Sequence, residues 1–342
     1  MNIGKSSSNI TSKIVKKGVD YAKSTSIKLS SIADDTVSFT QKAISKALTK
    51  LSKVADFRPI NKEYRIVSLP QGLDIIDGKI DGKTSVPTMA IIDVFSDFGN
   101  YKIGKKVKLP HGKIVSKFAT SGLDDKVGVL AFDTTPKGKS EWQAMQDSLE
   151  DLVKIVKNGN DVKALNLSVG VPTDFETISN TVGELITEKN VGEYKTKILE
   201  ELKKSKTQKD KNTVGMINAI NELVENGVEV FAASGNNQGR GIDLLTLSNA
   251  QHIVGADDYA KATQAFSNST SKGVHTFEML YDNAGNLKGL TNGTISFDTS
   301  DIPNLPKKNG FLGQILQEKN ATIKGTSFSC PTALNEYLKK IL

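Results

Sequence analysis

Residues 89–95 read MAIIDVF, an almost unbroken apolar run that ends next to a carboxylate. Four more short runs share this character: VGVLAF (127–132), VKALNLSV (162–169), VEVFAAS (228–234) and HIVGA (252–256). Such runs are typical of strands in a parallel sheet that is covered on both faces, because neither side of the strand meets water. The five runs therefore predict the central strands of one sheet.

Helical patterns alternate with these runs. Within 142–156 and 216–224, apolar residues recur every three or four positions, which places them on one face of a helix. They are Trp142, Met145, Leu149, Leu152, Val153 and Val156 in the first segment, and Met216, Ile217, Ile220, Leu223 and Val224 in the second. The alternation predicts an α/β fold: a parallel sheet flanked by helices on both faces.

Composition excludes several classes of protein. The chain has 342 residues, 37% of them apolar, which is enough for one large core. Its single cysteine, Cys330, excludes an internal disulfide framework and a cysteine-based zinc cluster. No apolar window approaches the length of a membrane-spanning helix, and the start has no secretory signal pattern. We therefore expect a cytoplasmic or leaderless secreted protein.

The net charge of +7 is concentrated near the start of the chain. Residues 1–57 carry ten Lys and four Asp, whereas 58–342 has a net charge of +1. We predict that 1–57 is a helical or disordered tail with a targeting or regulatory role, which could contact an anionic membrane or the translocation machinery. The nearly neutral remainder predicts no nucleic-acid partner. Within it, the Lys- and Glu-rich stretch at about 173–213 predicts a charged surface insertion, helical in part.

Four polar residues occupy positions where α/β proteins place their chemistry. In open sheets, active sites lie beyond the carboxyl ends of the strands. Asp93 and Asn236 each follow an apolar run, and His111 stands at a loop-to-helix junction. Ser327 follows Gly325-Thr326 where a C-terminal helix is predicted to begin. Each feature alone is ordinary, since strand ends, turns and helix caps favour such residues.

Taken in order, these residues resemble the subtilisin family of serine proteases. The matching strings are AIIDVF around Asp93, HGKIV from His111, ALNLSVG (164–170), VFAASGNN (230–237), VGADD (254–258), AFSNS (265–269) and GTSFSCP (325–331). The last string is the most diagnostic, because the family's nucleophile lies in a Gly-Thr-Ser motif with Pro four residues after the Ser. The resemblance covers most of 58–342 and implies a subtilisin-like peptidase domain.

The resemblance also implies a role for each residue in a serine endopeptidase. Ser327 would attack the peptide carbonyl, and His111 would accept its proton and return it to the leaving amine. Asp93 would orient the imidazole and stabilise the imidazolium. Asn236 would donate from its amide to the oxyanion.

An extended protein or peptide substrate would pair with the backbone, as in strand addition. By position, the family's substrate walls fall on Leu167, Ser168, Val169 and Gly170, and on Ala233, Ser234 and Gly235. Small residues there predict an open pocket that accepts an apolar side chain.

The sequence departs from the family's pattern between Asp93 and His111, which are separated by only 18 residues. In the family, the loop at this place often contributes calcium ligands, and here it must be short. We find no calcium ligand cluster, so no cofactor is expected, with calcium as the alternative left open. Asp97 is a weaker alternative to Asp93 because it lies past the apolar strand. The chain has two other histidines that could act as the general base in place of His111. His252 is predicted to be a core residue and His275 a loop residue without a motif, so His111 is preferred.

Two other functions remain open. The first is a catalytically inactive protein with a subtilisin fold that binds peptides. The second is an unrelated α/β ligand-binding protein of the flavodoxin type, in which Asp93, Asn236 and Ser327 are ordinary residues at strand ends. Labelling of Ser327 by a serine-reactive probe would distinguish the active enzyme from these two alternatives. A fold that keeps Asp93, His111 and Ser327 apart would exclude the active and the inactive subtilisin-like protein alike.

Overall fold

The computed structural model describes residues 64–68, 75–76, 79–80, 87–96, 100–103, 107–123, 126–135, 138–261, 265–302 and 318–342. The predicted tail at 1–57 and the alternative acid Asp97 lie outside these residues. The sequence from Lys62 to Leu342 forms one compact unit.

The central feature of the described residues is a seven-stranded sheet in the order β1-β7-β4-β8-β10-β12-β13. Its strands are β1 Tyr64–Ser68, β4 Thr88–Asp93, β7 Gly128–Asp133, β8 Val162–Leu167, β10 Glu229–Ala233, β12 His252–Ala256 and β13 Ser269–Ser271. Six of them are parallel, and β1 pairs antiparallel with β7 at one edge. All five predicted strands are present, each within two residues of its predicted bounds.

Helices cover both faces of this sheet, as the sequence predicts. The helices are α1 His111–Thr120, α2 Glu141–Lys157, α3 Phe175–Val182, α4 Lys195–Lys204, α5 Gln208–Glu225 and α6 Thr326–Ile341. Alternate residues of β4 show the division: Ala90 and Ile92 pack in a core with α2 and α5, whereas Met89 and Ile91 pack in a core with α1 and α6. Because successive side chains of a strand point to opposite faces, each face buries its own core.

The stretch around 173–213 contains α3, α4 and the start of α5. A short strand, β9 Pro172–Asp174, leads into it and pairs antiparallel with β11 Gly241–Asp243. Two 3₁₀ helices, Val191–Tyr194 and Leu244–Leu247, complete this side of the unit. Its apolar side chains join the core formed with α2 and α5: Ile178, Val182, Ile186, Val191, Ile198 and Leu202.

A smaller antiparallel sheet lies against α1. Its four strands, in spatial order, are β16 Ser296–Asp298, β15 Leu287–Thr291, β14 Val274–Tyr281 and β17 Asn320–Lys324. Two hairpins, β2 Ile75–Ile76 with β3 Lys79–Ile80 and β5 Asn100–Ile103 with β6 Val107–Pro110, complete the strands among the described residues. The second hairpin runs directly into α1 and so fixes where that helix begins.

Candidate active site

Asp93 and His111 meet at the carboxyl end of the sheet. Asp93 ends β4, which lies between β7 and β8, and its side chain is fully buried. His111 is the first residue of α1, and its Nδ1 lies 2.8 Å from Asp93 Oδ1. The same carboxylate oxygen accepts the N–H of Val94 at 2.7 Å. The histidine side chain is only 17% exposed, so the pair is largely shielded from water.

The surroundings of His111 set its charge. Desolvation by itself lowers the pKa of the imidazole, because burial disfavours the charged form. The negative charge of Asp93 and the hydrogen bond from Nδ1 outweigh this effect, and the pKa of His111 lies above its ordinary value of 6.5. A bond from Nδ1–H to the carboxylate also leaves Nε2 as the nitrogen that can accept a proton.

Ser327 lies in the first turn of α6, and the residue after it contacts the histidine. The ring of the next residue, Phe328, lies 5.6 Å from the His111 ring, measured between centroids. Ser327 is half-buried, and its Oγ donates to the carbonyl oxygen of Ser168 at 2.9 Å. Within the described residues, this hydroxyl is therefore bonded to a backbone carbonyl and not to the imidazole. The N–H groups of a first helical turn have no intrahelical acceptor and attract negative charge.

Asn236 contacts the residues just before Ser327. Its Oδ1 accepts the N–H of Thr326 at 3.0 Å and lies 3.3 Å from Oγ1 of the same threonine. Its Nδ2 faces Gly325, where an added Cβ would lie 3.2 Å away. Asn236 is exposed and lies against the start of α6. Donors placed in this way can stabilise a developing oxyanion.

The predicted substrate walls are the chain segments that follow two neighbouring parallel strands. Leu167 ends β8 and Ala233 ends β10, and these strands pair in register through Phe231 with Asn166 and Ala232 with Leu167. One wall continues after β8 as Ser168, Val169 and Gly170. The other continues beside it after β10 as Ser234 and Gly235. Both walls touch the start of α6: Ser168 accepts from Ser327 Oγ, and Gly235 N donates to Thr326 Oγ1 at 3.2 Å.

The structure adds a carboxylate that the motifs did not identify. Asp243, the last residue of β11, is 6% exposed, and its side chain lies against both Gly170 and Gly235. Burial raises the pKa of Asp243 to about 6, although N–H groups of Leu245 and Val171 partly oppose this shift. The only local signal was a single charged residue within the apolar string GIDLLTL (241–247).

The other two histidines differ from their predicted settings. His252 is not a core residue: it begins β12, its side chain is 30% exposed, and Nε2 lies 3.1 Å from Glu229 Oε2. His275 is not in a loop: it is buried in β14 of the smaller sheet, where Nε2 bonds the carbonyl of Lys272. Neither side chain hydrogen-bonds to Asp93 within the described residues, and both differences arise from neighbours that are distant in sequence.

Tyr101 is a further neighbour of the site that the sequence did not indicate. Its ring lies 5.9 Å from the His111 ring and 5.2 Å from the Phe328 ring, measured between centroids. Its hydroxyl donates to the carbonyl of Lys324 at 3.4 Å, just before Gly325. Tyr101 therefore connects the hairpin that precedes His111 with the strand that precedes Ser327.

Within the described residues, no group of three or more His, Cys, Asp or Glu side chains is placed to hold a metal ion. Each helix in that part of the chain is too short or too polar to cross a lipid bilayer.

Comparisons with known proteins give only distant likenesses. No family model matches the chain, and no curated protein does. Among solved structures, the chain is similar to a lanthipeptide protease (16% identity over 74% of each chain, TM-score 0.37) and to the prenylagaramide maturation protease PagA (16% over 73% of each chain, TM-score 0.36). It is also similar to a protease from Pseudoalteromonas arctica (12% over 76% of each chain, TM-score 0.38).

Proposed function

We propose that the chain is a serine endopeptidase with Ser327 as nucleophile, His111 as general base and Asp93 as the residue that orients the imidazole. One observation carries the proposal: a buried carboxylate holds Nδ1 of a histidine at 2.8 Å, and that imidazole lies beside the first turn of the helix that contains Ser327. A hydrogen-bonded carboxylate and imidazole next to a helix that carries a serine hydroxyl provide the three groups that acyl transfer uses.

The reaction would proceed in two halves. Ser327 Oγ attacks the peptide carbonyl carbon, while its proton passes to Nε2 of His111. The resulting oxyanion accepts hydrogen bonds from the Asn236 amide and from the N–H of Ser327. The imidazolium then gives its proton to the departing amine, which leaves an ester on Ser327. A water molecule, deprotonated by His111, hydrolyses this ester and restores the serine.

The hydroxyl must first leave the carbonyl of Ser168. A rotation about χ1 of Ser327 breaks that bond and changes the direction of Oγ without moving the helix. Catalytic hydrogen bonds commonly tighten only when substrate is bound, so a different partner in its absence does not exclude the mechanism. The same Ser327–Ser168 bond is the observation that favours the second candidate, an inactive peptide-binding protein, because it occupies the hydroxyl proton.

An alkyl fluorophosphonate separates the two candidates, since it reacts with activated serines and needs no substrate side chain. The active enzyme becomes labelled at pH 8, whereas Ser327→Ala and His111→Ala do not. His252→Ala is the matched control, because it removes a half-exposed imidazole bonded to Glu229 on another strand, and it should still label. Absence of labelling in wild-type protein that is folded by circular dichroism would refute the peptidase and leave the peptide-binding protein.

A further inference from the structure

Asp243 lies where the two substrate walls face each other. A Cβ built on Gly170 would overlap the Asp243 carboxylate, and one built on Gly235 would lie 3.5 Å from the Asp243 Cβ. Because neither glycine has a side chain, each leaves space beside its wall segment. The Asp243 side chain occupies the space between the two glycines. Both glycines are partly exposed, whereas Asp243 itself is 6% exposed.

The carboxylate also lies within reach of a substrate side chain held at Ser327. Ser327 Oγ contacts the carbonyl of Ser168, and Gly170 follows two residues along the same wall. Two residues of extended chain span about 7 Å. A side chain with a four-carbon stem and a terminal charge can cover that distance when its own carbonyl carbon is next to Ser327.

No Lys, Arg or His of the described residues forms a direct salt bridge with Asp243. Its oxygens accept backbone N–H groups from Leu245 and Val171, and the positive charge of Lys209, which is not in salt-bridge contact, also acts to lower its pKa. A buried carboxylate is costly unless it is paired. Oδ1 caps the 3₁₀ helix that begins at Leu244, but Asn or Ser caps a helix as well as Asp does. The capping bond therefore does not explain why the residue is charged.

We propose that Asp243 selects the substrate: its carboxylate binds the ammonium or guanidinium group of a Lys or Arg side chain on the residue whose carbonyl Ser327 attacks. This inference rests on the proposed peptidase function. It replaces the expectation of an apolar side chain, which came from the small wall residues and took no account of Asp243. The cation would supply a directly bonded counter-ion, and a charge-assisted bond in a desolvated pocket discriminates strongly against neutral side chains.

Two peptidyl phosphonates that differ only in one side chain test the inference on the full chain. One carries lysine at the residue attached to phosphorus, and the other carries norleucine, which lacks the amine. The readout is the ratio of their labelling rate constants, and we expect lysine to be favoured by at least about tenfold. In Asp243→Asn the ratio should fall towards one. The exposed Asp257→Asn removes the same charge at the same edge of the sheet and should keep the wild-type ratio.

The pH dependence of the wild-type ratio gives a second measurement that needs no variant. Protonation of Asp243 below about pH 6 should reduce the preference for lysine, whereas titration of His111 slows both probes equally and cancels in the ratio. This measurement decides the matter if Asp243→Asn does not fold. A wild-type ratio near one, or a ratio unchanged by Asp243→Asn, refutes the inference while the peptidase stands. If neither phosphonate nor the fluorophosphonate labels Ser327, the peptidase itself fails, and the inference fails with it.

Discussion

Replacing Asp93 by Asn tests the charge that faces His111 while keeping the side chain's size. The carboxylate is fully buried, and one of its oxygens accepts both Val94 N and His111 Nδ1. An asparagine Oδ1 can accept the same two bonds. The amide NH₂ then takes the place of Oδ2, which has no hydrogen-bond partner among the described residues. The variant thus removes the negative charge with little change in packing.

The loss of charge can be expressed as a rate. When Ser327 attacks, His111 becomes an imidazolium whose Nδ1 lies 2.8 Å from the Asp93 oxygen. With charge centres about 4 Å apart and an effective dielectric constant of about 20, the attraction is about 4 kcal/mol. At 1.36 kcal/mol for each factor of ten, Asp93→Asn should slow the reaction about 10³-fold.

The same change should move the pH profile. A general base must be neutral, so labelling rises with pH as His111 loses its proton. In the wild type, Asp93 holds the pKa of His111 above 6.5, so the acid limb should lie above pH 6.5. Without the carboxylate charge, desolvation remains and lowers the pKa, so the limb should move to lower pH.

The assay is the rate constant for fluorophosphonate labelling from pH 5 to pH 9. The control is Asp161→Asn, an exposed aspartate that precedes β8 at the opposite end of the sheet and pairs with Lys163. It should keep the wild-type plateau and acid limb. A plateau for Asp93→Asn equal to that of the wild type, or an acid limb at the same pH, would show that the Asp93–His111 pair is structural and not catalytic.

Three further predictions concern the oxyanion donor and the substrate crevice. Asn236→Ala should lower kcat for peptide hydrolysis by about 10²–10³-fold with little change in KM, and a loss confined to KM would exclude an oxyanion role. The pKa of Asp243 is about 6 in the folded chain and 3.8 in the unfolded chain, so the folded chain binds this proton more tightly. The group's contribution to the free energy of unfolding of the wild type therefore falls by about 3 kcal/mol as pH rises from below 3.8 to above 6. The free energy of unfolding of Asp243→Asn, relative to wild type, should therefore rise by about 2 kcal/mol between pH 4 and pH 7 in urea titrations, and a constant difference would contradict the raised pKa. Gly235→Ala should lower the free energy of unfolding by about 1–3 kcal/mol, because Gly235 has φ +100°, which is strained for alanine. The added Cβ makes only an ordinary van der Waals contact, so the cost comes from the backbone and not from a clash. An unchanged urea midpoint would contradict this.

The predicted strands and helices agree with the structure because their signals are local. An apolar run such as 89–95 has apolar side chains on both faces of a strand, so it is most stable in a sheet that is covered on both faces. This conclusion does not depend on which strands lie beside it. The helical spacing in 142–156 likewise requires a single partner surface, and α2 provides it over Glu141–Lys157. The expectations for His252 and His275 were wrong because each setting depends on another strand or sheet, which no local pattern contains.

The sequence by itself determined the alternation of strands and helices and the edge of the sheet at which polar residues follow strands. Only the tertiary structure decided which of those residues meet. His111 reaches Asp93 across 18 residues, and Ser327 reaches Ser168 across 159. Asp243 lies between two glycines that follow separate strands, although its sequence neighbours are apolar. Contacts over such separations depend on the order of strands in the sheet, because strand order fixes which chain ends lie side by side, and local periodicity does not encode it.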